Sequence, residues 1–411
     1  MWRRLVLSVV GRIQGGRIEI LENGRSTVIG DDGSDLRVTM TVHSSKLWRR
    51  MLRGSTGLGD SFMRHEWDCD DLVTLWSIAG RNLPRLDRLR RRFAFITGPV
   101  QRLGVLMPRS TRSRAKKQIA AHYDLGNDLY SLFLDRSMNY SSAVFPEGNE
   151  DLETAQLRKM DQISDQLDLG PDHHLLEIGT GWGGLAIHLA RRTGCRITTT
   201  TISAEQAKLA RERIEAEGLS DSIEVIEVDY RDLTGTFDRL VSIEMIEAVG
   251  WKDFHTYFTK CSDLLKPDGA MLLQAITIDD DAYDLEKASR SFISYFIFPG
   301  GCLPSVREID RCLETGTDLT VDWSADLGLD YARTLSLWRK RFEAQTERLE
   351  ELGYDDRFRR MWRLYLTLAE GGFRSHRNSD FQFRLVKPRY RDPRKFGLAG
   401  ADESEAQRAS V

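Results

Sequence analysis

The sequence of 411 residues predicts an α/β protein: a Rossmann-like, doubly wound and mostly parallel sheet preceded by a small α+β domain. Three observations carry that prediction. First, Leu175–Gly184, Leu-Leu-Glu-Ile-Gly-Thr-Gly-Trp-Gly-Gly, runs from an apolar strand into four glycines and on to an amphipathic pattern from Leu185. A strand, a glycine turn and a helix make the first unit of a nucleotide-binding sheet, because a ligand can approach a backbone that lacks Cβ atoms. Second, from Ala115 onward strand-like runs alternate with helix-length runs, as in a parallel sheet covered on both faces. Third, residues 11–45 show short period-two runs punctuated by Gly15-Gly16 and Asn23-Gly24, a pattern distinct from that of the main domain.

Arg17–Leu21 and Leu36–Val42 read as strands, Leu47–Leu52 and Asp70–Ala79 as helices, the second capped by Asp70 or Asp71. Residues 1–84 then form the small domain, 85–114 a basic connector with Pro99 and Pro108, and 115–388 the main domain. In the main domain, strands are expected at Leu175–Ile178, Ile197–Ile202, Ile223–Asp229, Phe237–Ile243 and Ala270–Ile278, with helices at Ala204–Glu217 and Trp251–Leu265. Lys266-Pro-Asp-Gly269 reads as the turn that ends a helix before the late strand. A helical region over Leu327–Ala369 and a last strand at Phe381–Val386 complete the domain, and the polar stretch 389–411 is expected to fray.

Composition narrows the partners. The net charge is −3, yet eleven Lys or Arg fall between Arg85 and Lys117 against one acid, Asp87. The segment reads either as a solvated linker or as a surface for anionic lipid headgroups, where each basic group contributes about 1 kcal/mol. No groove-reading motif accompanies it, so nucleic acid is not an expected partner. Cys69, Cys195, Cys261, Cys302 and Cys312 are far apart and form no Cys-x-x-Cys pair, which fits a reduced, cytoplasmic protein with neither structural zinc nor disulfides. Met1-Trp-Arg-Arg-Leu-Val-Leu-Ser-Val-Val lacks the length and cleavage site of a signal peptide. No window reaches the ~20 apolar residues of a membrane span, so the expected membrane contact is peripheral, at the inner face.

The nucleotide reading divides at the second strand. A dinucleotide site wants an acid at that strand's tip, and here the tip reads Thr198-Thr-Thr-Thr-Ile202, which argues against NAD. Ser203 with Gln206 reads as a capping box. Asp229, at the end of the third strand, is placed to meet a nucleoside or to cap a turn.

Leu175–Gly184, Thr201-Ile-Ser-Ala-Glu-Gln206 and Val228-Asp-Tyr-Arg-Asp-Leu233 together resemble the S-adenosylmethionine site of the cyclopropane fatty acid synthase family. The resemblance extends to His122–Tyr130, to Met138-Asn-Tyr-Ser-Ser-Ala-Val-Phe145 and to Tyr295-Phe-Ile-Phe-Pro-Gly-Gly-Cys-Leu-Pro-Ser305, with a weaker match at Gly57-Leu-Gly-Asp-Ser-Phe-Met63. It implies a class I methyltransferase fold and methyl transfer to the cis double bond of an unsaturated acyl chain in phospholipid, giving a cyclopropane. The alternatives are a methylene- or methyl-branched chain, the latter with a reductase partner, or a lipid-binding protein without activity. Tyr140, Ser141, Gly179, Gly181, Gly183, Thr201, Gln206, Asp229 and Tyr230 would hold S-adenosylmethionine.

The resemblance also implies bicarbonate as base. Glu247, Tyr331 and Ile276 fall on the family's positions around it, and Ser142 stands where bacterial members often carry Cys, with its backbone serving equally. Two positions depart from the pattern. Gln274 replaces a His, and an amide cannot carry the proton. Glu244 adds a carboxylate where bacterial enzymes often have Gly, and a second acid would repel bicarbonate or act as base itself. Ser-Ile-Glu-Met-Ile-Glu-Ala-Val-Gly looks more like the plant-type branch. Tyr295, Phe296, Phe298 and Tyr331 are expected to wall a carbocation, and Ser291–Phe298 to line the acyl tunnel, while the N-terminal domain is linked to lipid presentation and homodimer contacts.

Overall fold

The computed structural model describes residues 1–92, 126–287 and 289–392. The Asn23-Gly24 signal folds as a hairpin turn: both residues take positive φ (49° and 71°), the twist that suits β1 (Arg17–Glu22) pairing with β2 (Arg25–Gly30). β3 (Arg37–Val42) runs parallel to β1, and β4 (Trp67–Cys69) pairs antiparallel with β3, giving the order β2-β1-β3-β4. Helices Trp2–Val10, Lys46–Arg50 and Gly54–Met63 complete this part.

The second sheet is made of β5 (His174–Ile178), β6 (Arg196–Thr200), β7 (Ile223–Ile226), β8 (Phe237–Ile243), β9 (Leu265–Ile278), β10 (Thr320–Asp326) and β11 (Asn378–Val386). Their order is β10-β11-β9-β8-β5-β6-β7, parallel from β9 to β7, with β11 antiparallel to β9 and β10 antiparallel to β11. This is the doubly wound, mostly parallel architecture expected. Chain order reverses between β5 and β8, and a ligand crevice opens at such a point, outside the carboxyl ends of the strands.

Several boundaries differ from the sequence reading. β7 ends at Ile226, so Glu227–Asp229 lies outside the ladder. The helix expected over Trp251–Leu265 covers Phe254–Asp263. β9 begins at Leu265, not Ala270: Leu265 pairs with Phe237, Ala270 with Arg239, and Lys266–Gly269 bulges out between them. β10 has no counterpart in the sequence reading, because an edge strand with half its residues exposed carries little apolar alternation. Asp71 is the cap of the fourth helix, its carboxylate accepting from Thr74 N at 3.0 Å.

That helix runs from Leu72 through Pro84 to Arg92, so Pro84 opens no connector. Residues 93–114 of the expected connector, and His122–Leu125 of the resembling segment, lie outside the described residues. The stretch after Pro388 is held further than expected: Arg384 pairs with Asp392 at 2.8 Å, both nearly enclosed, and Tyr390 is buried beneath Arg239. The five cysteines are free thiols.

The two parts share one core. Ile20, Val38, Trp48, Phe62 and Trp67 belong to the same apolar cluster as Tyr130, Trp182, Tyr331, Trp338 and Trp362. Helix Leu72–Arg92 packs on helix Asp356–Arg374, and a Cβ at Gly371 would collide with the Trp76 side chain and come within 3.0 Å of Ser77 N. Gly371→Ala gains about 1 kcal/mol of helix propensity but forces backbones apart at a cost of about 1–3 kcal/mol. The expected outcome is a lower urea midpoint at unchanged m-value; a raised midpoint would show that the crossing is not tight.

Candidate functional site

The glycine turn after β5 opens the crevice. Gly179, Gly181 and Gly183 take φ of 106°, 51° and 81°, a region that costs an L side chain about 1–2 kcal/mol. A Cβ at Gly184 would strike Ser137 O, so this glycine lets the helix start at Gly184 come against the 137–141 loop. Tyr140, Ser141, Gly179, Gly181, Thr201, Gln206, Asp229 and Tyr230 all line one cleft. Gly183 does not line it, but packs on Ala210 behind the turn.

Three of these residues are organised by hydrogen bonds. Ser203 Oγ accepts from Gln206 N at 3.3 Å, one half of the capping box. The other half is absent: Gln206 Oε1 accepts instead from Thr201 Oγ at 2.9 Å, which points both side chains at the cleft wall. Asp229 accepts from Arg231 N, Nε and Nη2 at 3.0, 2.8 and 2.7 Å, so it caps a turn and lines the cleft at once. Tyr230 packs edge-on against Tyr257.

The residues expected around the base converge on a different group. Glu244, directly after β8, accepts from Ser142 N at 2.8 Å, Gln274 Nε2 at 2.9 Å and Tyr331 OH at 2.7 Å. Glu244 lines the cleft and keeps part of its surface open to it, while protein surrounds it elsewhere. Glu247 stands one turn on and accepts from Ile276 N at 2.6 Å; its Oε2 is buried with no partner among the described residues. Gln274 donates its second N–H to Asp380 at 2.8 Å and accepts from Gln382, which accepts from Gln162. Both Gln274 protons are therefore committed to carboxyl groups.

The charges here are few and closely matched. Burial pushes the carboxyls of Glu247 and Asp380 up, Glu247 to about 8, and the nearby Glu244 carboxylate pushes the same way. Burial raises Glu244 too, but Tyr331, Ser142, Lys159 and Gln274 all favour its anion. Lys159 is almost wholly buried, donates to Ser141 Oγ at 2.6 Å, and is brought down to about 8 by burial against the pull of Glu244. One buried lysine can balance one carboxylate, and Glu244 has the most donors. Lys159 and Asp380 are absent from the site residues expected from the sequence. Lys159 carries a signal there all the same: it falls on the apolar stripe Leu152, Ala155, Gln156, Lys159, Met160, Ile163 of its helix, Leu152–Leu167.

The aromatic wall is only partly the one expected. Phe298 lies 6.4 Å from Tyr140 between ring centres and 5.8 Å from Tyr365, and Tyr331 stacks on Phe373 at 4.5 Å. Tyr295, however, is 48% exposed, and Phe296 packs against it and Phe292. Ile293–Ile297 forms a π-helical turn that leaves Tyr295 exposed and Phe296 partly buried against the core, and period-two or period-3.6 reading misses such a turn. Trp338, Tyr130 and Phe133 close around Tyr140 in their place. The Gly57–Met63 segment meets the Ser291–Phe298 segment directly: Phe292 occupies the space a Gly59 Cβ would need, and Ser55 Oγ accepts from Phe292 N at 3.1 Å.

Residues 110–383 match the mycolic acid cyclopropane synthetase family. The tuberculostearic acid methyltransferase of Mycobacterium tuberculosis is 38% identical over 349 residues, 83% of this chain and 81% of the relative. The cyclopropane-fatty-acyl-phospholipid synthase of Escherichia coli is 38% identical over 365 residues, 87% and 89% of the two chains. Among solved structures, a mycolic acid cyclopropane synthase complexed with SAH and CTAB superposes with a TM-score of 0.62 at 29% identity, covering 66% of this chain and 98% of that one. Coclaurine N-methyltransferase, at 18% identity and a TM-score of 0.60, shares the fold over 80% of this chain and 99% of its own.

Glu177 also lines the cleft, with one carboxyl oxygen buried and without a partner among the described residues, and burial raises it from 4.5 to about 8. A raised carboxyl binds its proton more tightly in the folded state, so the stability it confers is full below pH 4.5 and is lost as pH rises to about 8. Glu177→Gln is expected to gain on the parent by about 1 kcal/mol per pH unit across that window. Denaturation midpoints of both proteins from pH 4 to 9 check this; parallel curves would show that Glu177 does not titrate there.

Proposed function

The chain belongs to the mycolic acid cyclopropane synthetase family, and on that premise we propose that it moves the methyl group of S-adenosylmethionine to the cis double bond of an unsaturated phospholipid acyl chain, forming a cyclopropane. One observation carries this reading: the cleft lined by the expected cofactor residues shares Glu244 with an acid cluster walled by aromatic rings. S-adenosylmethionine, when bound, supplies an electrophilic methyl on a sulfonium. The glycine turn leaves room for its backbone-facing end, Thr201 and Gln206 present hydroxyl and amide groups, and Asp229 and Tyr230 close the far end of the cleft.

An unactivated alkene is a weak nucleophile, so alignment dominates catalysis, and holding two reactants in place supplies roughly 7–11 kcal/mol in favourable cases. The rings of Tyr140, Phe298, Tyr331 and Trp338 exclude water, and each ring face favours a developing cation by about 0.5–2 kcal/mol. Bicarbonate does not fit this arrangement. Ser142 N, Tyr331 OH and Gln274 Nε2 donate to Glu244, Ile276 N donates to Glu247, and no step here runs through bicarbonate.

A second reading, a methylene-branched chain passed to a reductase, is favoured by Gln274. Its amide is bonded on both sides and receives no proton where the family has His. Two relatives at 38% identity are named one for each kind of activity, a cyclopropane synthase and a fatty acid methyltransferase. The described residues contain no helix long and apolar enough to cross a membrane. Exposed Trp2, Leu5 and Val9 beside Arg4 support work at the membrane surface, with the N-terminal part presenting lipid and supplying any homodimer contact.

Purified protein incubated with S-adenosylmethionine and monounsaturated phospholipid vesicles is expected to add one CH2 unit to the released acyl chains. Resistance to catalytic hydrogenation identifies the ring, hydrogen uptake identifies the methylene branch, and no mass gain overturns the function. Gln206→Ala should weaken S-adenosylmethionine binding about tenfold in calorimetry, the effect of one lost hydrogen bond of ~1.4 kcal/mol.

A further inference from the structure

We propose that Glu244 is the catalytic base: a carboxylate built into the chain, filling the donor set that would otherwise receive an exogenous anion. The inference rests on the methyl-transfer reading above and adds the group that completes it. Four observations converge on this residue. Its carboxylate takes three donors from three separate segments, Ser142 N, Gln274 Nε2 and Tyr331 OH, all within 2.9 Å. It is the member of the acid cluster that lines the cleft, whereas Glu247 and Asp380 do not, and each of these keeps a buried oxygen without a partner among the described residues. Buried Lys159 stands in the same cluster as a counter-charge.

The fourth observation is strain. Glu244 has φ of 48°, in the left-handed region that glycine occupies freely and other residues at a cost of about 1–2 kcal/mol. A strained non-glycine residue persists where the surroundings over-determine it, and such residues cluster at functional sites. Here the surroundings are the three donors. Enclosure also lifts the carboxyl above its ordinary value, which makes it a stronger base than a solvated glutamate.

The step balances. As the methyl carbon bonds to one alkene carbon, the carbon–sulfur bond breaks, the thioether leaves with that electron pair, and the other alkene carbon becomes cationic. Glu244 takes a proton from the new methyl group. The electron pair of that C–H bond closes the ring onto the cationic carbon. If a hydride shift first moves the charge to the methylated carbon, the same pair forms an exocyclic double bond. In both cases the proton ends on Glu244, and the charge introduced with the sulfonium is neutralised.

The test compares the parent protein, Glu244→Gly and Glu244→Gln in buffer stripped of carbon dioxide, with and without added bicarbonate. Glycine relaxes the backbone at this φ but leaves three buried donors without their acceptor, so Glu244→Gly is expected to fold with a lower thermal midpoint that added bicarbonate raises. The parent is expected to turn over equally in both buffers. Glu244→Gly should lose about 10²-fold or more and recover in part with bicarbonate, which enters the vacated donor set. Glu244→Gln still fills that space and should not recover. Binding of ¹³C-bicarbonate followed by NMR gives a readout independent of turnover: saturable for Glu244→Gly, absent for the parent. A parent that needs bicarbonate, or binds it saturably, overturns the proposal and makes Glu244 a positioning residue. A parent that forms no product at any bicarbonate level refutes the methyl-transfer reading instead, and the NMR arm still decides what fills the donor set.

Discussion

Four segments of the chain meet on one carboxylate, and much of the site depends on that meeting. Glu244 comes directly after β8, Gln274 lies in β9, Ser142 sits in the loop that covers the cleft, and Tyr331 opens the long helix Gly328–Ala344. Each donor is nearly inaccessible to water, so each would lose about 1–3 kcal/mol if its acceptor were removed without replacement. The carboxylate therefore fixes the covering loop against the sheet. Thr334 Oγ and Asp330 Oδ1, also on that helix, accept from Ala143 N and Phe145 N, and Gln156 donates to Ser141 O. The loop is thus shaped largely by partners outside it.

Placing three carboxyl groups and a lysine beneath one cleft is electrostatically costly, since an enclosed charge without a partner costs several kcal/mol. The arrangement limits that cost by keeping few of the groups charged. Glu247, raised to about 8, holds its proton near neutrality, burial and the nearby Glu244 carboxylate push Asp380 the same way, and Lys159 faces the carboxylate with the most donors. Gln274 matters here as much as any charge. Its amide separates Glu244 from Asp380 by donating to both, which a protonating imidazole in the same position would do only at the expense of another charge.

The N-terminal part is not an appendage to this arrangement. Helix Gly54–Met63 carries Gly59 against Phe292, at the root of the π-helical turn that aims Phe298 toward Tyr140. A side chain at residue 59 would have to move that ring. Arg377 and Asp87 form a nearly solvent-free pair at 2.7 Å that ties helix Leu72–Arg92 to the entry of β11, close in sequence to Asp380. The N-terminal part and the residues around Glu244 are in this way coupled through packing and one buried ion pair.

Local pattern was enough for the central parallel strands and the glycine turn, because each depends on residues adjacent in sequence: Leu175–Gly184 folds where its own periodicity puts it, whereas edge strand β10, the early end of β7 and the half-formed capping box at Ser203 did not follow from local signal. Resemblance located Ser142, Glu247, Gln274, Ile276 and Tyr331. Sequence alone left the role of Glu244 open, since whether a carboxylate repels an anion or replaces it depends on where three distant donors point. That was decided by the packing of β8, β9 and helix Gly328–Ala344. The same holds for Lys159 and Asp380, whose significance is their enclosure beside Glu244, and for Tyr295, which the π-helical turn leaves exposed. Local chemistry sets what a segment can be. Burial and long-range hydrogen bonding, made only when segments far apart in the chain close on one another, decide which of its side chains share a charge, a proton or a substrate.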